Sequence, residues 1–598
     1  MTTKEDVDMG QQKYAAKTYP GNDWNAPKQR TKNGLCLSGG GSRALSAGLG
    51  QLIGLNTPGD GNKSPLLDSV DYISSVSGGT WLTSIFSFSE NQQLDDLLGV
   101  YAPPDTLTEE NIGDLPEGSI GHVPGRLSYS GMIDIVHKKI GLINIIRHPE
   151  VRKWIWPVIV GELVLKPYQL YQGSMEGSGK HIMPVPERFF SLNLSYMEEN
   201  IKELTGDNIA NGALTGDDFY FHQSGRPFPV MNTNIKLNYQ QSDTPLLPVQ
   251  GTPVAVGATG KVSEAATSLC ADGAVESFAF TSHWQSQNQD VATADIDRRY
   301  SLIDLVACSS AFFAQTVGEK IASAAAVFSL GSNIDDQESG LEGSLKEREA
   351  AILADLSSLV PQYNYWPVGA ETPVNQNTGF ADGGNLDNTG LLGMLARTDA
   401  TKIVVCYNSE SALGTREDIA VDGYDKKIAQ VSSDIPILFG YQPKPVNGTY
   451  VRFSACTPAD LKYLEAAQVF EPAGFGPLVT ALFAASQGEK APAVARTKSL
   501  QVCDNAFAGI NDRGKVDVLW LYNNYAQAWV DEIHKNSWEL ADNIKLGRHI
   551  PGSDFHNFPN YSTALQIDLN ATQVNALAQF QAWIIEQVSD HIYDVFAV

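Results

Sequence analysis

The stretch Tyr72–Trp81, YISSVSGGTW, constrains this chain more than any other. A β-favouring run from Val70 to Ile73 leads into Ser75-Val76-Ser77-Gly78-Gly79, and Trp81 to Phe86 then reads as helix. A strand, a tight turn carrying a serine and a helix are the context of a nucleophile elbow. The turn lifts the serine hydroxyl above the sheet edge, and the helix start behind it favours developing negative charge. Only small neighbours fit so sharp a bend, which accounts for the two glycines. A Ser/Gly-rich connection with no chemistry would have the same composition, so the elbow needs partners elsewhere in the chain.

Two other stretches supply them. Gly34 to Leu37 reads as a short buried strand, followed by Ser38-Gly39-Gly40-Gly41-Ser42-Arg43 and a helix from Ala44 to Leu55. Three glycines at such a junction let backbone N–H groups converge on an anion. The loop lacks the lysine of a GxxxxGK[ST] phosphate cradle and the spacing of GxGxxG, so an oxyanion hole fits it better than a nucleotide site. Far downstream, Gly379-Phe380-Ala381-Asp382-Gly383-Gly384-Asn385 places an acid before two glycines, marking a loop where a carboxylate approaches something closely.

Composition removes several alternatives. The 598 residues carry a net charge of −26, which argues against a nucleic-acid backbone as partner and against attraction to anionic lipid. Six scattered cysteines form no CxxC pair, so reduced thiols and a cytoplasmic setting are expected. The polar first thirty residues do not read as a signal peptide, and the most apolar patch, Trp154–Leu165, is broken by Pro157 and Glu162. Any membrane contact is therefore expected to be peripheral.

Along the chain, residues 1–30 read as a loose lead-in and 31–598 as one catalytic domain. An insertion at about 92–224 reads as a cap or lid. Within it, basic residues beside Trp154 and Trp156 suit either an interfacial element or a helical cap whose tryptophans are core. Strand character returns at Arg226–Ile235, Glu276–Thr281, Lys402–Tyr407 and Val516–Leu521. Leu302–Val306 with Ser309–Phe313 reads as a helix end or tight loop near the core, and the charged segment 335–356 as a solvated helix. Helix-rich decoration is expected over 455–545. The tail from Asn570 repeats Val574, Leu577, Phe580, Trp583, Ile584 and Val588 at helical spacing, as a core-packing helix would.

SGGGSRA at 38–44, SVSGG at 75–79 and ADGG at 381–384 together resemble the patatin and cytosolic phospholipase A2 superfamily. The match is closer to the cytosolic phospholipase A2 (lysophospholipase B-like) branch, whose SGSTW is similar to Ser77-Gly78-Gly79-Thr80-Trp81. The resemblance implies an α/β fold with a predominantly parallel central sheet, helices on both faces and an inserted cap. It also implies a Ser–Asp dyad: Ser77 as nucleophile, Asp382 as general base, Gly40 and Gly41 N–H groups as the oxyanion hole, and Gly39 permitting the turn. Arg43 would contact the substrate phosphate, with Arg397 as a candidate second phosphate arginine. The implied substrate is a phospholipid or lysophospholipid, met through peripheral contact of the cap with a membrane or micelle, with no metal and no cofactor. Ser75 departs from the pattern, because the family usually has glycine there. With some thirty residues before the catalytic region, calcium-dependent docking is not carried over.

Chemistry supports the dyad independently of the family. A serine hydroxyl attacks only if a base takes its proton, and an aspartate becomes a useful base when burial raises its pKa. Other readings stay open. A Ser–His–Asp esterase could draw its base from His534, His549, His556 or His591, all of which follow Asp382. An acyltransferase would deliver the same acyl-enzyme to an amine, alcohol or lysolipid. A non-catalytic lipid-binding protein would keep only the pocket.

Overall fold

The computed structural model describes residues 12–597 apart from 22–23, 25–31, 60–63, 142–147, 174, 177–182, 185–187, 237–245, 261–271, 289, 297–298, 315–316, 319–358, 371–374, 416–428, 444–449 and 453–466. The charged helix expected at 335–356 lies outside the described residues.

Strands β1 (Gln12–Tyr19), β2 (Asn33–Leu37) and β3 (Tyr72–Val76) begin the chain, with helix α1 (Gly41–Asn56) after β2 and α2 (Gly78–Phe88) after β3. Next come β4 (Phe228–Lys236), β5 (Leu246–Gly251), β6 (Ala255–Ala258), β7 (Gly273–Glu276), β8 (His283–Asn288), β9 (Val291–Ile296) and α3 (Leu302–Ser309). The chain then forms β10 (Gln362–Tyr365), β11 (Gln376–Asp382), β12 (Lys402–Tyr407), α4 (Phe475–Ser486), β13 (Ala493–Gln501) and β14 (Lys515–Tyr522). Helices α5 (Gln527–His534), α6 (Trp538–Gly547), α7 (Ala571–Gln587) and α8 (Ser589–Phe596) close it.

These fourteen strands join one sheet, in the order β8-β9-β1-β7-β6-β5-β4-β3-β2-β12-β14-β13, with β10 and β11 branching from β4, and four two-stranded pairs lie outside it among the described residues. Its centre, β4-β3-β2-β12-β14, is parallel throughout, as the sequence leads one to expect of the core. Antiparallel strands extend it on both sides, so the whole is a mixed α/β sheet.

The parallel strands are largely buried on both faces, which is why β12 and the second half of β14 read as continuous apolar runs, whereas β3 and β4 interleave Ser74, Ser75, Asn232, Thr233 and Asn234. Alternate residues feed two cores. Leu35, Ile73, Val404 and Leu519 join the core that holds α1, α2 and α7, whereas Cys36, Tyr72, Val405 and Trp520 join the core that holds α4. Helix α7 is the core-packing element its periodicity predicts, with Val574, Leu577, Phe580 and Trp583 buried. It crosses α1 at close range: a Cβ on Gly50 would lie 2.0 Å from the Ala578 carbonyl oxygen.

Three expectations are corrected, and one open alternative is decided. The lead-in is not wholly loose, because β1 pairs with β9 and β7, burying Tyr14 and Ala16. Glu276–Thr281 is not a strand: β7 ends at Glu276 and Ser277–Ala279 turns into a 3-10 helix. Phe278, Ala279 and Phe280 are all buried, so the run has no solvent face for an alternating strand to present. Region 455–545 is more than helical decoration, since β13 and β14 complete one edge of the sheet. Trp154 and Trp156 are core: Trp156 donates to the Ala307 carbonyl at 3.1 Å, and neither indole is offered to a lipid surface. The described part of 92–224 is a series of short helices and turns with two short strand pairs, sharing the α1–α2 core. No helix among the described residues is long and apolar enough to cross a membrane.

Candidate active site

Strands β2 and β3 are parallel neighbours, so the two strand-to-helix junctions that follow them emerge at the same edge of the sheet. One junction carries the glycine loop and the other carries Ser77. The loop lies against the elbow: a Cβ on Gly39 would stand 3.1 Å from Ser77 Cβ, and one on Gly78 would stand 2.1 Å from the Gly41 carbonyl oxygen. Gly40 has φ 132°, a conformation that needs glycine, and it starts α1 with no side-chain cap on the first-turn N–H groups. Ser77 itself is held at φ 50°, ψ −118°, a strained backbone that persists only where its surroundings over-determine it.

Asp382 reaches this point through strand pairing. Along one edge of β4, β3 pairs up to Val76↔Asn232, and β11 takes over from Asp382↔Thr233. The two strands run head to head on that edge, so their last residues meet at adjacent positions of β4. This register joins residues 305 apart: Ser77 Oγ donates to Asp382 Oδ2 at 3.0 Å. Asp382 also accepts the N–H groups of Phe312 at 3.2 Å and Gly384 at 2.8 Å. Both residues are enclosed, with Ser77 4% and Asp382 3% exposed. Burial pushes the Asp382 carboxyl up to about 6, although those two N–H groups and the Ser77 hydroxyl pull the other way.

Other expected site residues fall differently. Arg43 is turned inward. It donates to the Asn408 carbonyl at 2.8 Å, to Thr563 Oγ1 at 2.8 Å and to the Tyr561 carbonyl, and it pairs with Glu410 at 3.3 Å. Its guanidinium lies against Gly40, where a Cβ would stand 2.2 Å from Nη2. The side chain therefore buttresses the glycine loop, with its Nε and Nη1 donors bonded to protein. Arg397 is fully buried over the Trp24 ring near Asp399, which accepts from Tyr72 at the start of β3, the opposite end of that strand from Ser77. None of His534, His549, His556 and His591 hydrogen-bonds to Ser77 or Asp382. Among the described residues no cluster of His, Cys, Asp and Glu could hold a metal ion.

The anomalous Ser75 is accommodated: its hydroxyl lies 3.2 Å from Thr80 Oγ1. Three residues given no role from the sequence also build the site. Asn234 Nδ2 donates to the Asp382 carbonyl at 2.7 Å, and Asn232 Nδ2 donates to the Ser75 carbonyl at 2.9 Å. Ser309 Oγ accepts the Ser77 N–H at 3.1 Å. Polar residues within the strand Arg226–Ile235 were the available signal for the two asparagines.

A serine elbow on a parallel α/β centre, beside a glycine loop and a buried acid, is the class of site that these geometries define. Residues 34–107 match the family model of the lysophospholipase catalytic domain. A stretch of 78 residues is 40% identical to Lysophospholipase 3 of Candida albicans, covering 12% of this chain and 10% of that protein. Another of 143 residues is 33% identical to Phospholipase B of Cryptococcus neoformans var. neoformans, covering 23% and 20%. The matched stretches thus span a fifth or less of these curated relatives. Human GIVD cytosolic phospholipase A2 aligns over 95% of this chain and 60% of its own, at 12% identity and a TM-score of 0.44. Over these stretches the chain is similar to the lysophospholipase catalytic domain and to proteins named lysophospholipase and phospholipase B.

Proposed function

We propose that this protein is a lipid acyl hydrolase of phospholipase A2 or lysophospholipase type, cleaving fatty-acyl esters of phospholipids or lysophospholipids through Ser77 and Asp382. The observation that carries the reading is the 3.0 Å hydrogen bond from a strained elbow serine to a buried carboxylate. The names of the relatives, lysophospholipase and phospholipase B, support the substrate class.

In this mechanism Asp382 takes the Ser77 proton as Oγ bonds to the ester carbonyl carbon. A carboxyl poised near 6 is ionised at neutral pH yet basic enough to accept that proton. Negative charge then develops on the carbonyl oxygen, and the N–H groups of Gly40 and Gly41 at the α1 N-terminus receive it. Collapse breaks the ester C–O bond, and the proton on Asp382 goes to the departing lyso-lipid or glycerol oxygen. Water, deprotonated by the same carboxylate, cleaves the acyl-enzyme and restores Ser77. The insertion at 92–224 acts as the cap: Trp156 stacks on Phe313 at 6.0 Å, and Phe313 packs against Gly41.

The test is hydrolysis of phospholipids carrying differently labelled sn-1 and sn-2 chains by wild type, Ser77→Ala and Asp382→Asn. Fluorophosphonate labelling is followed in parallel. Labelling of wild type alone, with hydrolysis lost in both variants, is the expected result. Full activity in Ser77→Ala would refute the proposal.

A further inference from the structure

Where β3 leaves the sheet, its backbone needs a substitute for the ladder. The β3–β4 pairing ends at Val76↔Asn232, and the next residue, Ser77, bends away into the elbow. Its N–H is buried, and a buried N–H without a partner is costly. The hydroxyl of Ser309, at the C-terminal end of α3, occupies the gap. It accepts the Ser77 N–H at 3.1 Å and donates to the Asn232 carbonyl at 2.7 Å. Thr80 Oγ1 lies 2.9 Å away on the third side. Ser309 is completely buried, so no solvent competes for these contacts.

The turn after Ser309 also touches the base. Three residues on, the Phe312 N–H donates to Asp382 Oδ2, the oxygen that accepts the Ser77 hydroxyl. One end of one short helix therefore fixes both the backbone of the nucleophile and the carboxylate of the base.

We propose that Ser309 is a positioning residue for the Ser77–Asp382 dyad: its hydroxyl bridges β3 to β4 past their last rung and holds Ser77 in its strained conformation with Oγ on Asp382. The inference rests on the acyl-hydrolase reading above. It assigns Ser309 no contact with substrate. Its effect falls on the geometry of attack, which acts on kcat, and leaves KM alone.

The experiment compares Ser309→Thr with Ser309→Val, two side chains of one shape of which only the first carries a hydroxyl. Ser309→Ala serves as a second hydroxyl-less variant should the valine not fold. Ser309→Thr is expected within about threefold of wild type in kcat, whereas Val and Ala fall roughly 10- to 100-fold with KM unchanged, as expected for a reacting atom displaced by a fraction of an ångström to an ångström. Fluorophosphonate labelling of Ser77 slows in step, and hydrogen exchange in peptides spanning 70–85 quickens only in the hydroxyl-less pair. A merely structural serine would lower thermal stability in all three variants without separating Thr from Val and Ala. Equal kcat in Ser309→Thr and its hydroxyl-less counterparts overturns the proposal. Ser77→Ala, run alongside, separates the two readings: activity surviving there defeats the acyl-hydrolase assignment itself, whereas an inactive Ser77→Ala beside a fully active Ser309→Ala defeats only the role of Ser309.

Discussion

Gly78→Ala tests whether the glycine loop and the elbow are built against each other. The added Cβ would stand 2.1 Å from the Gly41 carbonyl oxygen and 2.7 Å from both Gly41 N and Gly41 C. All three are backbone atoms, so no side-chain rotation relieves the contact. Either the loop or the start of α2 must retreat by about 1 Å, a displacement large enough to cost on the order of 10²-fold when it separates reacting groups. Gly41 supplies one of the two N–H groups proposed to receive the oxyanion, and such donors act at about 2.7–3.1 Å. The retreat removes that donor, and kcat is expected to drop by roughly 10²–10³. KM should change little, because the donor acts on charge present only in the transition state. Overpacking should also lower stability by about 1–3 kcal/mol. The assay is kcat and KM on a labelled lysophospholipid, paired with thermal unfolding of the same preparation. Gly212→Ala is the control, since a Cβ there meets nothing within 4 Å and its φ is ordinary. A folded Gly78→Ala protein with kcat within threefold of wild type would refute the geometry assigned to the loop.

The pH profile follows from Asp382. As a base it works only when unprotonated, so kcat/KM should be full above its pKa and fall as pH drops through about 6. For stability the sign is opposite. The folded pKa lies above the ordinary aspartate value, so the native state holds the proton more tightly, and stability declines as pH rises from that ordinary value towards 6. Asp382→Asn should flatten this part of the stability curve, and a wild-type-minus-variant difference constant from pH 4 to 7 would contradict the assignment. At the α1–α7 crossing, Gly50→Ala should lower unfolding free energy by about 1–3 kcal/mol in denaturant titration, because its Cβ would sit 2.0 Å from the Ala578 carbonyl oxygen. An unchanged midpoint would mean the helices cross elsewhere.

Much of the site is legible in the chain because it is local. Strand, tight turn and helix around Ser77, and the glycine loop after β2, follow from steric rules acting over a few neighbouring residues. Part of the parallel centre is legible too, since burial on both faces makes β12 and the second half of β14 apolar runs. The core role of α7 is likewise read correctly from its apolar period, although the helix is buried all round from Val574 to Ile585 and not along one stripe alone.

What the chain alone does not disclose is whatever depends on register or on the direction a side chain takes after folding. Trp154 and Trp156 beside basic residues have the composition of an interfacial element, and only packing against α3 and Phe313 makes Trp156 core. Arg43 follows the glycines as a phosphate-binding arginine would, yet the fold brings Asn408, Glu410, Tyr561 and Thr563 to its guanidinium. Sequence alone gives Ser309 and Asn232 no role, because their importance comes from standing where β3 departs from β4. Sequence therefore determined the three local turns that present a serine, a set of amides and an acid. The tertiary structure decided that they meet, because β3 and β11 end head to head on one edge of β4, and strand pairing between distant segments is set by the assembled sheet.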